Sequence, residues 1–192
     1  MTSVREGILD LVADFIENPA RAAATAGRGP RWCVGLACFG VAGLSLYLSQ
    51  SLVRLSPLNP ASLLLACVWQ AAAGVFMASL LHLLAEWSGG RGRVGSVFVL
   101  FGMSQLVWAL ALPMAVLAAF WRAALPAYWI CVTVLAFSAL YLRARSLRDH
   151  YGFAMGKAWL LVLFPYLAGL LLLMAALALL AIGLVSAVRL SF

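Results

Sequence analysis

Long apolar stretches separated by short polar segments dominate this chain. A helix rises 1.5 Å per residue and the hydrocarbon core of a bilayer is about 30 Å thick, so about 20 apolar residues span it. Five stretches approach or exceed that length, and they predict five membrane-spanning helices. Their bounds are residues 32–53, 61–85, 97–120, 127–142 and 158–188.

The polar segments between these stretches contain residues that end helices. Ser56-Pro57-Leu58-Asn59-Pro60 cannot continue a helix, and residues 88–93 form a loop rich in Gly and Arg. Residues 122–126 predict a tight connector, and residues 143–157 predict a longer polar loop.

The last apolar stretch holds 31 residues, which is more than one crossing needs. Pro165 and Gly169 lie near its start and predict a bend there. We therefore expect one long bent span rather than two short ones.

Residues 1–30 have the pattern of a short amphipathic helix followed by a linker. Ser3 and Glu6 form a capping box, and Asn18-Pro19 ends the helix. Its polar face is acidic, unlike that of helices that lie on anionic lipid, and the segment does not fit a signal peptide. Two roles stay open, a helix lying at the membrane and a helix docked on the loops or on a partner. Its apolar stripe is Val4, Ile8, Leu11, Val12 and Phe15.

Composition agrees with a membrane environment. Of 192 residues, 66% are hydrophobic and 10% are charged, whereas soluble domains are near half apolar and a quarter charged. The expected fold is an all-α, polytopic bundle of about five spans at residues 31–192, preceded by the cytoplasmic helix and linker at residues 1–30.

Basic residues are distributed unevenly between the two sides of the predicted bundle. Ten fall on the side of the N-terminus and three on the other, so the positive-inside rule predicts a cytoplasmic N-terminus and an outer C-terminus. The Ala-, Leu- and Arg-rich composition suggests a bacterial cytoplasmic membrane. The ten are Arg5, Arg21, Arg28, Arg31, Arg91, Arg93, Arg143, Arg145, Arg148 and Lys157; the three are Arg54, Arg122 and Arg189.

The loop members of the larger group form a candidate contact surface. Arg91, Arg93, Arg143, Arg145, Arg148 and Lys157 would attract anionic headgroups at about 1 kcal/mol per charge. The alternative is that these charges only set topology. The first span carries a second candidate surface, a stripe of small residues that lets helices approach closely within the chain or between subunits. This stripe is Gly35, Cys38, Ala42, Ser45 and Ser49.

Candidate chemistry is sparse. His82 and Glu86 share a helix face, and with His150 they could form a polar cluster that holds a proton or a metal. The alternative is an interfacial His beside a Glu paired with Arg91 or Arg93. Gln70 and Gln105 are the clearest mid-span polar side chains, and residue counting puts them at different depths, so we do not expect them to pair.

Catalytic motifs are not found. The Gly-rich loop lacks the Gly-Lys-Ser/Thr ending of a phosphate-binding loop, and the cysteines have no metal spacing. Glu86 precedes Trp87-Ser88-Gly89 where the serine motif of intramembrane proteases has Gly. We predict no enzyme activity, no cofactor and no nucleic-acid partner.

Several short motifs resemble those of Ypt-interacting-protein (Yip/YIPF) domains, especially bacterial members, over residues 18–185. They include Pro113, Pro165, His82-Leu83-Leu84-Ala85, Gly89-Gly90-x-Gly92 with Ser96, Leu147-Arg148-Asp149-His150-Tyr151-Gly152 and Gly156-Lys157-Ala158.

The resemblance implies a five-span bundle with a cytoplasmic N-terminus. Eukaryotic relatives are linked to Rab-type GTPases and to vesicle traffic, and they carry an Asp-Leu-Tyr-Gly-Pro motif. That motif is absent from this chain, so we do not extend the GTPase link to it.

Together these features predict a membrane scaffold or adaptor that organises membrane or recruits partners through its basic cytoplasmic loops. The expected partners are membrane lipids, anionic ones among them, and a protein partner or a second copy. One alternative is a passive conduit for lipid or small solutes, with a groove lined by Gln70, Gln105, Ser104 and Trp108. Another is an accessory subunit of a larger membrane complex.

Overall fold

The computed structural model describes residues 32–55 and 57–190, with side chains up to residue 182, together with Ala13, Phe15 and Glu17. The two main ranges contain six α-helices and two 3₁₀ segments. The α-helices are α1 Trp32–Leu52, α2 Pro60–Trp87, α3 Val94–Gln105, α4 Ala111–Phe120, α5 Leu125–Tyr151 and α6 Met155–Leu190, and the 3₁₀ segments are Leu106–Leu110 and Arg122–Ala124.

Five helical stretches in the described ranges are long and apolar enough to cross a bilayer. The third runs from α3 through α4, and the other four contain α1, α2, α5 and α6. The prediction of an all-α bundle of five spans is confirmed, and the chain is an integral membrane protein. Short connectors make successive spans run in opposite directions. We call the end that carries residues 88–93 and 152–154 the basic end.

The third span contains a 3₁₀ segment where the sequence pattern predicts a regular helix. Pro113 lies in the first turn of α4, directly after that segment. Proline has no N–H, and its ring clashes with the carbonyl four residues earlier, which here belongs to Ala109. The ladder of α-helical hydrogen bonds is therefore interrupted, and the chain tightens over Leu106–Leu110.

The fourth span is longer than predicted, and the prediction of a long polar loop at residues 143–157 is wrong. Helix α5 continues to Tyr151, leaving only residues 152–154 as a connector. The charged segment keeps an apolar stripe at helical spacing, and that stripe packs on the core. The stripe is Leu140, Ala144, Leu147 and Tyr151.

The last apolar stretch forms one continuous helix. Helix α6 passes through Pro165 and reaches Leu190, in keeping with the single span predicted. In the most apolar 18-residue stretch of α6, 6% of the residues are buried, whereas 56% are buried in the corresponding stretch of the third span. The third span is therefore central, and α6 lies at the periphery, where lipid covers its exposed leucines.

The stripe of small residues on α1 faces the rest of the chain. All five members are buried. A Cβ on Gly102 of α3 would lie 2.7 Å from the carbonyl oxygen of Gly35 and 2.8 Å from its Cα. The two backbones are thus nearly in contact, which is the arrangement that stabilises helix pairs in lipid. The stripe serves packing within the chain.

The predicted N-terminal helix lies mostly outside the described residues. Ala13, Phe15 and Glu17 are helical, and Phe15 is buried against Cys38, Val99 and other α1 and α3 residues. Phe15 packs on the first and third spans, and the choice between the two roles left open for this segment stays a prediction.

The close approach of α1 and α3 makes Gly102→Ala destabilising. We expect a loss of about 1–3 kcal/mol, because the new methyl meets backbone that cannot move away. Gly40→Ala is the matched control, since a Cβ there meets nothing within 4 Å. Unfolding of both variants in mild detergent measures the difference, and equal midpoints would contradict this packing.

Candidate functional site

Two glycine-dependent turns shape the basic end. Gly89 follows α2 with a φ of 86°, and Gly152 ends α5 with a φ of 70°, a region that favours glycine. The N–H of Gly152 donates to the carbonyl of Arg148 at 2.8 Å, which closes the helix. These turns bring the two connectors at this end together.

Residues 88–93 form the first connector at this end. Its glycines let aromatic residues from the end of α5 and from residues 152–154 pack directly on it. A Cβ on Gly90 would lie 2.7 Å from atoms of both Phe153 and Tyr151. A Cβ on Gly92 would lie 2.6 Å from Tyr151 and 2.7 Å from Nε2 of His150. A larger side chain at either glycine would push the connectors apart. We call this contact region the basic-end junction.

A hydrogen-bonded chain crosses the junction through His82. Its Nε2 lies 3.3 Å from Oε1 of Glu86, and its Nδ1 contacts the hydroxyl of Tyr151. The neutral tautomer protonated on Nε2 satisfies both contacts, because Tyr151 then donates to Nδ1 and Nε2 donates to the carboxylate. The chain ties the second span to the end of the fourth.

The predicted polar cluster meets around Tyr151. The His150 ring lies edge-on to Tyr151, with centroids 4.8 Å apart, and its Nε2 accepts from the backbone N–H of Arg93 at 3.3 Å. His82, Glu86 and His150 therefore belong to one junction. Among the described residues, no group of three or more His, Cys, Asp or Glu side chains could hold a metal ion.

Sequence analysis missed Tyr151 as the residue that joins this cluster. The signal was the spacing of the apolar stripe on α5, which reaches Tyr151 once the helix is extended. Because residues 143–157 are predicted as a loop, the helical spacing of apolar residues is not followed as far as Tyr151.

The six basic residues proposed as a contact surface divide into three kinds. Arg91, Arg93 and Lys157 are exposed at the basic end. Arg145 and Arg148 are partly buried and both pair with Asp149, at 4.0 and 2.6 Å. Arg143 differs from the rest. It lies within the fourth span, so its assignment to a surface loop is wrong.

Arg143 lines a partly open cavity between the spans. Its Nη1 donates to the hydroxyl of Tyr166 on α6, and its guanidinium lies over the Phe101 ring, 6.0 Å from the centroid. The cavity has a volume of about 220 Å³. We call it the arginine cavity, and its lining includes Phe39, Gln70, Gly74, Gln105, Arg143 and Tyr166.

Gln70 and Gln105 pair in this cavity, and the expectation that they do not is wrong. Nε2 of Gln70 donates to Oε1 of Gln105 at 3.1 Å. That expectation came from counting residues along each span, which assumes that the spans are parallel and that their ends lie at the same depth. Helix α2 has 28 residues, more than the bilayer needs, and long spans tilt, so equal counts do not give equal depths.

The other two residues of the predicted groove have different places. Ser104 is buried and donates to the carbonyl of Phe101 at 2.7 Å, a bond within its own helix. Trp108 belongs to the 3₁₀ segment and is half-buried, outside the lining of the arginine cavity. Only the two glutamines of that groove line this cavity.

The described residues define a class: an integral membrane protein of five helical spans, with polar contacts at the basic-end junction and in the arginine cavity. No family model matches the sequence, no curated protein matches it, and no solved structure matches its fold. The resemblance to Yip domains stays a prediction that rests on the motifs.

Removing the hydroxyl of Tyr151 tests the junction. Tyr151→Phe leaves Nδ1 of His82 without its donor, and we expect a loss of about 0.5–1.5 kcal/mol in the free energy of unfolding. Tyr141→Phe is the control, because Tyr141 is exposed on the same helix. Denaturant unfolding measures the free energy of unfolding of both variants. Equal values would contradict a stabilising contact between Tyr151 and His82.

Proposed function

We propose that this protein is a membrane scaffold or adaptor that acts by association at its basic end. In this proposal the basic end lies in the cytoplasm, as the positive-inside rule favours. The observation that carries it is the basic-end junction, which holds exposed positive charges on connectors that are fixed against one another.

The contacts of Lys157 support a fixed rather than a loose surface. Its Nζ donates to the carbonyl of Ser88 at 2.6 Å and lies 4.4 Å from the centroid of the Phe153 ring. The start of α6 is therefore tied to the connector that carries Arg91 and Arg93. A partner that binds here meets charges already held in position, so less conformational entropy is lost on binding.

The charge of this surface indicates the chemistry of its partner. Arg91 and Arg93 on the first connector and Lys157 near the start of α6 are exposed together, and neither connector at this end contains an acidic residue. Each such charge near an anionic membrane contributes about 1 kcal/mol of attraction. Acidic protein segments and anionic headgroups are thus the partners that fit. We also propose a bacterial cytoplasmic membrane and membership of the Yip domain family.

A second candidate is a passive conduit for lipid or small solutes. The pair Gln70–Gln105 favours it, because these amides line a cavity within the spans. The scaffold proposal makes a different prediction.

Under the scaffold proposal, vesicles containing the purified chain should pass lipid and small solutes no faster than empty vesicles. Dithionite bleaching of labelled lipid and release of a trapped dye measure the two rates. A rate above that of empty vesicles that Gln105→Leu abolishes would favour the conduit.

Neutralising the basic end should weaken association. We expect the double variant Arg91→Gln/Lys157→Gln to recover less of a reproducible partner, or less of a defined homo-oligomer, than the wild type after gentle solubilisation. Two charges at about 1 kcal/mol each correspond to roughly 30-fold in affinity. Mass spectrometry of tagged protein drawn from its native membrane measures the recovery.

The matched control is Arg54→Gln/Arg122→Gln, which removes two exposed charges from the opposite end. This control should behave like the wild type. A monomer with no protein partner and with the same bound lipid in the wild type and both double variants, or turnover of a substrate by the reconstituted chain, would contradict the scaffold proposal.

A further inference from the structure

The arginine cavity contains donors that nothing in the described part of the chain satisfies. Nε of Arg143 and Nε2 of Gln105 are both buried and have no hydrogen-bond partner. Gln105 as a whole is 1% exposed. Its Oε1 is engaged by Gln70, so the unpaired groups of this cavity-lining residue are N–H donors.

Unpaired buried donors are costly, and more so within a membrane. Each forfeits its hydrogen bonds to water without replacement. A charged side chain within a span usually faces a partner, a pathway or a ligand. Among the described residues, no carboxylate lies within ion-pair distance of Arg143, since its contacts are the Tyr166 hydroxyl and the Phe101 ring.

The complement to these groups is an oxyanion. A guanidinium presents planar N–H donors that match a carboxylate or a phosphate, and an adjacent amide N–H adds a further donor. We propose that the arginine cavity binds a carboxylate or phosphate group through Arg143 and Gln105. This site is separate from the association proposed for the basic end.

The size of the cavity allows such a group to enter. Its volume of about 220 Å³ compares with the roughly 10–15 Å³ that a single water needs. Tyr166 lines it and is 41% exposed, so the cavity reaches the outer surface of the bundle beside α6. Acyl chains surround that surface, which makes an anionic amphiphile the favoured source of the oxyanion and free phosphate the other.

Binding is tested on the full chain, purified in a neutral detergent and stripped of lipid. Native mass spectrometry would follow titrations with oleate, dioleoyl phosphatidate and inorganic phosphate. Oleyl alcohol is the matched neutral probe, because it shares the chain of oleate and lacks the oxyanion. We expect one equivalent of an anionic probe to bind at least about ten-fold more tightly than oleyl alcohol, as one charge-assisted hydrogen bond implies.

Variants locate the site. Arg143→Met and Gln105→Leu should each weaken binding of the anionic probe at least about ten-fold. Arg54→Gln, which removes an exposed charge from the opposite end of the bundle, should leave binding within about two-fold of the wild type. Gln105→Leu keeps the proposal testable if Arg143→Met fails to fold, and unfolding midpoints without ligand verify folding of each variant.

The outcomes separate cleanly. Tight binding of oleate or phosphatidate that depends on Arg143 and Gln105 supports the site with an amphiphile as its source. The same dependence with inorganic phosphate alone supports the site with a free ion as its source. Equal binding of oleate and oleyl alcohol, or equal loss in Arg54→Gln and the cavity variants, would overturn it.

Discussion

Tyr151 makes the contacts on which the basic end of this bundle depends. Its hydroxyl reaches His82 on the second span, and its ring packs against the glycine connector between the second and third spans. The same ring stacks on Phe153, with centroids 5.5 Å apart. One side chain thus joins the first half of the bundle to the turn that leads into the last span.

Such contacts matter because lipid supplies little hydrophobic drive between helices. A leucine is as well solvated by acyl chains as by another leucine, so spans are held by close backbone approach and by polar pairs. Gly35 and Gly102 provide the close backbone approach. The polar pairs are those made by Tyr151, Gln105 and Arg143. Some polar groups within the described spans, such as Gln105 and Arg143, hold helices together, whereas several hydroxyls bond to carbonyls of their own helix.

The sequence predicted the number and approximate bounds of the spans, because length and hydropathy decide them locally. The stripe on α1 could also be recognised, since its members recur on one helix face. Contacts between side chains on different helices could not be predicted in this way. Gln70 meets Gln105 because of how the second and third spans pack on one another, and that packing depends on several segments at once.

The charged end of α5 shows a second limit. Arg143, Arg145 and Arg148 make residues 143–151 too polar for a span, and the segment was predicted as a loop. The helix persists because Ala144, Leu147 and Tyr151 still lie on one face and pack on the core. This continuation places Arg143 beside Tyr166 rather than at the surface, and both polar regions of the protein follow from it.

The most direct test of this account is a thiol cross-link across the basic-end junction in native membranes, with the natural cysteines removed. The pair Arg93→Cys/His150→Cys should link efficiently with a short bismaleimide, because the backbone nitrogen of Arg93 lies 3.3 Å from Nε2 of His150. The pair Arg93→Cys/Tyr141→Cys, about 14 Å farther along α5, should not. Equal linking of both pairs, or none in the first, would contradict a helical α5 that returns Tyr151 to the glycine connector.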